Sequence, residues 1–598
     1  MYILGLNFSH NGSAALIKNK KLVGFIATER LTRNKCDRGV NKKVIKYLLD
    51  KEGIKFKDVN LIAVVNWFFD RDNENNELFD KSADGFAITT DNGIEYSIED
   101  YVQFHQDQNQ LAQGFFTFHI GDLSKPCMLV DHHFAHCAYA WYMSPFDDAM
   151  CFSLDVNDNM GTNHAVYYFN EKDKFYRAIR RGGDFNVGGF YSSVCDYLGF
   201  YPSLTDAGKV MALAAYGAPK KYSDIVWPKV VQMGDLYHGD QFMHLMGKHK
   251  IKKIPNSRGY FPQLKGEGGK PDKYWLKKSD WEDDLHKNIA ADTQYILEQS
   301  VKSMLHKLLR EQKITQNICL AGGTFLNCAM NGNMEKEFSY HNFFAAPACG
   351  DDGLTIGAGL FVADNMKINK KKELHQSTAG KRHIHSTREI FEGGKIYSAG
   401  EIYDAIKNTK LQRASPDRER FNKRIVAKLK DDKVVGLFTG GSEIGPRALC
   451  HRSILASASN PEMKDILNKK VKHREEFRPF GPVVLEDEAD MYFDLIRSEY
   501  PFMLFNLKCL IPDEIPSGIH VDNTARIQTA NEKDNPVIFG ILTELYKQTK
   551  KSVLINTSFN VQGEPIVETP EDALNCFKKT KIDVVAFTAG DKYYLVEK

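Results

Sequence analysis

The sequence predicts an α/β protein with two domains, on three observations. The chain has 598 residues, more than a single hydrophobic core usually organises. Strand-like apolar runs alternate with helical patterns along most of its length. A charged, weakly patterned stretch at 365–395 is typical of a domain boundary, and we expect its His383 and His385 on a solvated linker. The predicted domains are therefore residues 1–368 and 369–598.

Composition argues against several classes of protein. The net charge is +2 and 26% of the residues are charged, so bulk charge favours neither nucleic acid nor a membrane surface. The eleven cysteines are scattered without a CxxC pair, which argues against a zinc ribbon and a disulfide framework. No apolar run approaches about 18 residues, and the start, MYILGLNF, lacks the features of a signal peptide. We therefore expect a soluble cytoplasmic protein without a membrane partner.

The first domain contains two similar segments. Residues 1–30 read as a strand, a polar Gly-containing loop and two strands joined by a tight turn, and residues 151–181 repeat this order. Two such units facing each other across a cleft are typical of the ATPases related to actin, the sugar kinases and the heat-shock chaperones. Their loops hold nucleotide phosphates through backbone N–H groups, which makes Asn11 and Gly12 candidate nucleotide contacts. The alternative is a chance similarity of two hairpins.

Helical patterns fill most of the remaining first domain. The pattern NKKVIKYLLDKEG predicts a helix that ends at Gly53, GGFYSSVCDYLGF predicts another from residue 188, and a long helix is expected from Leu285 to Gln312. Residues 218–285 are polar, basic and aromatic, with Pro, Gly and Trp interspersed. We interpret them as an inserted subdomain or lid.

The stretch DHHFAHCAYAW places two histidines where they could share a ligand. His132 and His136 are four residues apart, so on a helix both imidazoles lie on one face. The next strand-like run ends at Asp155, whose carboxylate would complete a mixed nitrogen and oxygen set. Such a set suits a divalent transition metal such as iron, manganese or zinc. The alternative is a buried pair of satisfied histidines at the start of a core helix.

Two Gly-rich segments follow buried strands later in this domain. In NICLAGGTFLNC, the pair Gly322 and Gly323 would let backbone approach a ligand closely, as in adenosine or phosphate pockets, and Asn327 lies just beyond. In ACGDDGLTIGAG, Asp351 and Asp352 precede a helix, where one carboxylate could face the metal. Helix N-capping is the alternative role for either of them.

The second domain holds a basic cluster at strand ends. In KVVGLFTGGSEIGPRALC, a Gly-rich loop is followed by Pro446 and Arg447, which we expect to open a helix whose N–H groups face an anion. Further cations and polar residues stand beside apolar strands. Several arginines that converge at strand ends provide what phosphate binding needs, although each could lie on a solvated face. The candidates are Arg447, Arg452, Lys472, Arg474, Arg478, Arg526, Asn556 and Ser558.

These motifs, in this order, resemble the O-carbamoyltransferases of the NodU/CmcH/TobZ type over nearly the full length. The resemblance depends on GLNFSHNGSAAL, ERLTRNKCD, DHHFAHCA, GKVMALAAYG, LAGGTFLNC, DDGLTIGAG, EIGPRAL, HREEFRPFGPVVL and NTSFNVQGEPIV. It implies a TsaD-like domain of the actin-type ATPase fold followed by a YrdC-like α/β domain. It also implies that ATP, with Mg²⁺, and carbamoyl phosphate form carbamoyl-adenylate in the second domain, and that the carbamoyl group is then transferred to an acceptor hydroxyl in the first.

The resemblance also implies roles for individual residues. His10 would be the general base or the group that orients the acceptor hydroxyl, and Lys35 would contact the adenylate. Iron is the metal that the family implies, with His132, His136, Asp155 and Asp351 as its ligands. The implied carbamoyl phosphate and ATP contacts are Arg447, Lys472, Arg478, Arg526, Asn556 and Ser558.

Several positions depart from the family pattern. The loop after Asp155, at 156–159, lacks the usual glycines and last aspartate, Gly441 replaces an arginine, and Cys36 replaces a histidine. These changes keep a non-catalytic nucleotide-binding relative open as an alternative, beside a sugar-kinase-like phosphotransferase. The acceptor could be a sugar, a natural product or a nucleoside, selected by residues 218–285. A homodimer also stays open.

Overall fold

The structure, a computed structural model, describes residues 1–67, 84–89, 112–156, 162–172, 175–200, 202–220, 280–368, 374–376, 381–409, 411–413 and 417–598. Most of the altered loop at 156–159 and most of the proposed insertion at 218–285 lie outside these described residues.

The N-terminal half of the first domain is built on one mixed sheet with the strand order β3-β2-β1-β4-β7-β6-β5. Strands β1, β2 and β3 form an antiparallel meander, and β4 and β7 continue the sheet parallel to β1. The strands are β1 (Tyr2–Asn7), β2 (Ser13–Lys18), β3 (Lys21–Ala27), β4 (Leu61–Val65), β5 (Phe86–Thr89), β6 (Ala112–Ile120) and β7 (Leu123–Val130).

A second sheet repeats this plan with the order β10-β9-β8-β11-β12. Its first three strands are again an antiparallel meander, and the other two again run parallel to the first. The predicted duplication is therefore present, and the first copy carries β5 and β6 in addition. The strands are β8 (Asp148–Leu154), β9 (His164–Asn170), β10 (Phe175–Gly182), β11 (Asn317–Ala321) and β12 (Asn342–Ala345).

Two helices pack together at the centre of this domain. In α3, every residue is buried, which fits a sequence that is apolar or aromatic nearly all round. Phe134 of α3 packs edge-on against Phe361 of α8, with 4.8 Å between ring centroids. The helices of this domain are α1 (Thr28–Thr32), α2 (Lys42–Glu52), α3 (His132–Met143), α4 (Val187–Tyr197), α5 (Ser203–Ala214), α6 (Asp284–Gln312), α7 (Cys328–Glu337) and α8 (Leu354–Asn365).

The second domain is built on an eight-stranded sheet with the order β15-β24-β23-β16-β17-β22-β18-β21. Two further pairs, β13–β14 and β19–β20, stand apart from it. The pair at the junction of the two domains is β13 (Met366–Ile368) and β14 (Leu374–Gln376). The strands of the second domain are β15 (Leu411–Arg413), β16 (Val435–Phe438), β17 (Arg452–Ser457), β18 (Gly481–Leu485), β19 (Asn506–Lys508), β20 (Thr524–Arg526), β21 (Gln528–Ala530), β22 (Val553–Ser558), β23 (Val584–Ala589) and β24 (Lys592–Glu597).

Seven α-helices lie in the described part of this domain. The longest, α11 and α14, cover one face of the sheet around a separate apolar core. The seven are α9 (Thr387–Phe391), α10 (Ala399–Ile406), α11 (Arg418–Lys430), α12 (Met463–Ile466), α13 (Ala489–Tyr492), α14 (Pro536–Thr549) and α15 (Pro570–Lys579). The predicted α/β class is confirmed, and so is the predicted duplication within the first domain.

The linker prediction is wrong in one respect. His385 is buried and accepts a hydrogen bond from the backbone N–H of Leu22, and Gly393 O accepts another from Phe25 N at 3.0 Å. The segment thus packs on the exposed edge of the first sheet, because β3 offers unpaired backbone groups there.

The helix expected at Pro446 and Arg447 is absent. The chain from 439 to 451 is an irregular loop, and one oxygen of the buried Glu443 carboxylate accepts hydrogen bonds from Leu449, His451 and Arg452 N–H at 2.8–2.9 Å. These side-chain bonds satisfy backbone groups that a helix would otherwise pair.

Candidate active site

Four predicted ligands converge at the carboxyl end of the central strands. His132 and His136 stand one turn apart at the start of α3, Asp155 follows β8, and Asp351 follows β12 just before α8. One ligand atom from each lies within 4.8 Å of every other. The parallel arrangement of β8, β11 and β12 explains this, because strand ends of one direction meet at one edge of a sheet.

The two carboxylates face the imidazole of His136. Its Nε2 atom lies 3.2 Å from Asp155 Oδ2 and 3.4 Å from Asp351 Oδ1. Burial alone would lower the pKa of His136, but the carboxylates outweigh burial and raise this pKa to about 9. Burial would likewise raise the pKa of both aspartates, and the facing imidazoles lower it instead.

Neighbouring side chains hold these ligands in place. Nδ1 of His132 lies 3.1–3.2 Å from the side-chain amide of Asn66, whose nitrogen also donates to Asn7. This contact fixes the ring with Nε2 on the side of the cluster, 3.9 Å from Asp351 Oδ1. Asp155 Oδ2 accepts a hydrogen bond of 2.9 Å from the backbone N–H of Gly323. The Gly322-Gly323 turn therefore positions a carboxylate.

The third histidine of the motif has a different role. His133 is fully buried, with Nδ1 2.8 Å from Ser153 Oγ and Nε2 3.0 Å from the carbonyl of Thr162. Both ring nitrogens thus have partners within the core. His133 is therefore the satisfied core histidine that was considered as an alternative role for His132 and His136.

The donor set fits a divalent transition metal. Two imidazoles and two carboxylates that are ionised and buried together need a cation to compensate the carboxylates once His136 is neutral. Neither Asp351 nor Asp352 caps α8 through its side chain, since the residue at that position is Gly353. The capping alternative is therefore wrong for both.

His10 lies at the edge of this cluster. Its Nδ1 atom is 3.5 Å from Asp351 Oδ2, and its side chain is 24% exposed, so it can reach both a ligand carboxylate and an incoming molecule. Lys35 is exposed on the loop after α1 and acts electrostatically on Lys472 of the second domain.

The predicted nucleotide contacts of the first domain have mostly local partners. A Cβ atom on Gly12 would lie 1.7 Å from Gly39 O, so Gly12 permits the contact between two loops. The backbone carbonyl of Asn11 accepts a hydrogen bond from the side-chain amide of Asn7, and Asn327 caps α7 by accepting one from Met330 N–H.

A cluster of arginines forms the second site. Burial, followed by the neighbouring Arg526, lowers the pKa of Arg447, and burial followed by Arg478 lowers that of Arg474. The buried Nε atoms of Arg447 and Arg526 have no hydrogen-bond partner. Positive charges that are buried together repel one another, and a bound anion would relieve this repulsion. Phosphate groups suit this role, because a guanidinium group can donate two parallel hydrogen bonds to them.

Other predicted anion contacts are engaged in the protein itself. Arg452 is 0% exposed, stacks 3.6 Å from the Phe438 ring centroid, and donates to the carbonyls of Thr439 and Gly440. Arg452 is thus largely occupied by contacts within the protein. Lys472 Nζ donates to Ser558 and Asn560, so this lysine and Ser558 organise the loop after β22.

Asn556, expected to contact substrate, and Gly441, which replaces an arginine of the family pattern, both make packing contacts in the structure. The amide of Asn556 is buried and donates to Ala448 O and Gln528 Oε1, so it supports the loop that carries Arg447. A Cβ atom at Gly441 would lie 2.4 Å from Gly394 O. The packed linker explains why an arginine is absent from position 441.

One short turn connects the two sites. Gly323 N–H donates to Asp155, and three residues later Leu326 O accepts a hydrogen bond of 3.2 Å from Arg447. Sequence reasoning did not find Asn66, which orients His132; its only signal is its place directly after β4. Among the described residues, no helix is long and apolar enough to span a membrane.

The structure combines a first domain, with a duplicated sheet plan and a buried His/Asp cluster, and a second domain in which several arginines lie close together. Residues 2–360 match the family described as "Carbamoyltransferase N-terminus" and residues 426–594 match "Carbamoyltransferase C-terminus". The chain belongs to this carbamoyltransferase family, and the resemblance to its NodU-type members is confirmed.

Individual relatives align over nearly the whole chain. An uncharacterized protein of Synechocystis sp. is 30% identical over 97% of this chain and 95% of its own length. Nodulation protein NolNO of Sinorhizobium fredii is 27% identical over 96% of this chain and 78% of its own. Nodulation protein U of the same species is 25% identical, with 94% of each chain covered. Family membership supports carbamoyl transfer as the general activity.

Proposed function

We propose that the protein is an ATP-dependent O-carbamoyltransferase that works in two steps at two sites. Carbamoyl-adenylate is made from carbamoyl phosphate and Mg²⁺-ATP at the arginine cluster of the second domain. The carbamoyl group is then passed to the hydroxyl of a small acceptor, such as a sugar, a natural product or a nucleoside, beside the His/Asp cluster. The observation that carries this proposal is the turn at 323–326, which contacts a metal-site carboxylate at one end and Arg447 at the other.

The first step brings several negative charges together. Carbamoyl phosphate loses its phosphate to water, the resulting carbamate attacks the α-phosphorus of ATP, and pyrophosphate leaves. Arg447, Arg478 and Arg526 supply positive charge where these anions meet, and the water-poor surroundings strengthen each contact.

The second step needs a base and a stabilised carbonyl oxygen. The acceptor oxygen attacks the carbamoyl carbon, AMP leaves, and the hydroxyl proton passes to Nε2 of His10, since Nδ1 faces Asp351. A divalent metal held by His132, His136, Asp155 and Asp351, Fe²⁺ by the family resemblance, would act as a Lewis acid for the carbamoyl oxygen. Asp351 thus orients the base as well as contributing to the metal site.

Pyrophosphate release tests the first step. The full-length protein with Mg²⁺-ATP should release pyrophosphate only when carbamoyl phosphate is added, and without any acceptor. ATP consumption at the same rate with and without carbamoyl phosphate would favour a kinase-like phosphotransferase. If neither pyrophosphate release nor ATP consumption is detected, a non-catalytic nucleotide-binding protein would be favoured.

The variant His10→Asn tests whether the two half-reactions take place at separate sites. It should abolish transfer to every alcohol in a panel of sugars, nucleosides and natural products, and leave carbamoyl-phosphate-dependent pyrophosphate release unchanged. Loss of both half-reactions together would contradict two separate sites.

A further inference from the structure

The loop that supplies Arg478 to the arginine cluster also supplies a carboxylate. Glu475 stands between Arg474 and Arg478 in sequence, and its side chain is only 8% exposed. Its Oε2 atom lies 3.8 Å from Arg478. A buried carboxylate at this place is unexpected in a site that must attract phosphate groups, because like charges repel one another there.

Electrostatics place Glu475 within the cluster. Burial lowers the pKa of both Arg474 and Arg478, and Glu475 is the carboxylate that opposes this lowering in each of them. Asp206 of α5 contributes in the same direction at Arg478. Glu475 therefore compensates part of the arginine charge before any substrate arrives.

A lysine from the other domain holds this carboxylate. Lys209 of α5 lies 3.0 Å from Glu475 Oε1 and 2.6 Å from Asp206. Its side chain is 3% exposed, so the contact is shielded from water and from salt. One oxygen of Glu475 is therefore held by Lys209, while the other lies at the longer distance of 3.8 Å from Arg478.

We propose that Glu475 is an internal counter-ion that competes with phosphate-bearing substrate for the arginine cluster, and that Lys209 limits this competition. The inference rests on the proposed function, because the competing ligand is the substrate phosphate of the first step. When a phosphate group enters, it takes the contact with Arg478, and Lys209 keeps the displaced carboxylate neutralised.

Two single variants should shift anion affinity in opposite directions. In Glu475→Gln the competitor is lost, and we expect inorganic pyrophosphate to bind about tenfold more tightly, a factor worth ~1.4 kcal/mol. In Lys209→Gln the carboxylate turns to Arg478, and binding should weaken about tenfold. Titration calorimetry on the full-length protein measures both.

Neighbouring charges provide matched controls. Glu476 and Lys469 are exposed and pair with each other at 3.1 Å. Glu476→Gln and Lys469→Gln make the same changes in net charge close by, and each should alter pyrophosphate affinity less than twofold. Equal shifts in these controls would reduce the effect to overall charge and overturn the inference.

The double variant separates competition from a structural role. Without Glu475 there is no competitor for Lys209 to restrain, so Glu475→Gln/Lys209→Gln should bind pyrophosphate as tightly as Glu475→Gln alone. If the ion pair only joins the domains, both single variants weaken binding and the inference fails. If the wild-type protein binds no pyrophosphate, the proposed first step fails, and the inference fails with it.

Discussion

The His/Asp cluster and the arginine cluster are both buried, but they balance charge in opposite ways. At the first, imidazoles and carboxylates face one another within 3.2–3.9 Å and compensate each other without any ligand. At the second, cations lower one another's pKa. The first site is held together by its own residues, and the second carries repulsion that an anion relieves.

This difference has an energetic consequence. Breaking a buried pair of opposite charges leaves one charge uncompensated, which is strongly destabilising. Removing one of several like charges relieves repulsion and desolvation at once. Ligand-free stability should therefore respond with opposite signs at the two sites.

The largest effect concerns metal binding. The variant His136→Ala loses a ligand that lies between two carboxylates, and its affinity for Fe²⁺ should fall about a thousandfold. Mutation of residues that merely support metal ligands already lowers metal affinity ~10–100-fold, so loss of a ligand should lower it more. Metal content after anaerobic loading measures this. As a control, His133→Asn, one residue from His132 but used within the core, should still bind metal at a lower thermal midpoint. Equal metal loss in both variants would contradict the assignment.

Arg452 tests the boundary of the arginine cluster. Because its guanidinium binds backbone carbonyls and stacks on Phe438, Arg452→Gln should lower the free energy of unfolding by ~3 kcal/mol. Denaturant titration measures this loss. Where the variant stays folded, pyrophosphate affinity should change less than about twofold. A large drop in affinity at unchanged stability would return Arg452 to the anion site.

A pair of substitutions tests the opposite signs directly. Asp155→Asn should destabilise the metal-free protein by ~2 kcal/mol, because it removes a partner of His136. Arg526→Gln should stabilise the anion-free protein by ~1 kcal/mol, because its buried Nε lacks an acceptor. Thermal unfolding with and without pyrophosphate measures both. Destabilisation by both changes would show that the two sites do not differ in this way.

The smallest effect contrasts two buried histidines. His136 gains carboxylate partners, whereas burial lowers the pKa of His385 to about 4. Between this value and ~6.5 the unfolded chain binds a proton that the folded chain does not, so stability falls as pH falls. Between about pH 7 and 5.5, the wild-type protein should therefore lose ~1 kcal/mol more of its free energy of unfolding than His385→Gln loses. An unchanged pH profile would show that His385 is not buried as a neutral group.

Local patterns predicted much of the fold and the first site. The duplicated strand order follows from two similar segments, because each meander is formed by neighbouring residues. His132 and His136 follow from helical spacing, and Asp155 and Asp351 from their places after apolar strands. Their assembly within 4.8 Å agrees with the set that the resemblance implied.

The second site was less predictable. Arg447 and Arg452 are five residues apart with similar surroundings in sequence. Arg447 nevertheless lies near Arg526 and Arg478, whereas Arg452 donates to the backbone carbonyls of Thr439 and Gly440. The irregular loop around Glu443 decides this difference, and that loop was expected to be a helix. Side-chain bonds across several residues overrode the Pro-Arg signal.

By itself, the sequence determined the strand order of the two repeated units, the ligand types at the His/Asp cluster and the presence of many cations in the second domain. Those features depend on spacing within short segments. Only the tertiary structure decided which cations face one another, that Asn66 orients His132, and that Glu475 meets Lys209 of the other domain. These contacts join residues far apart in the chain, and their energies depend on shared burial, which no local pattern specifies.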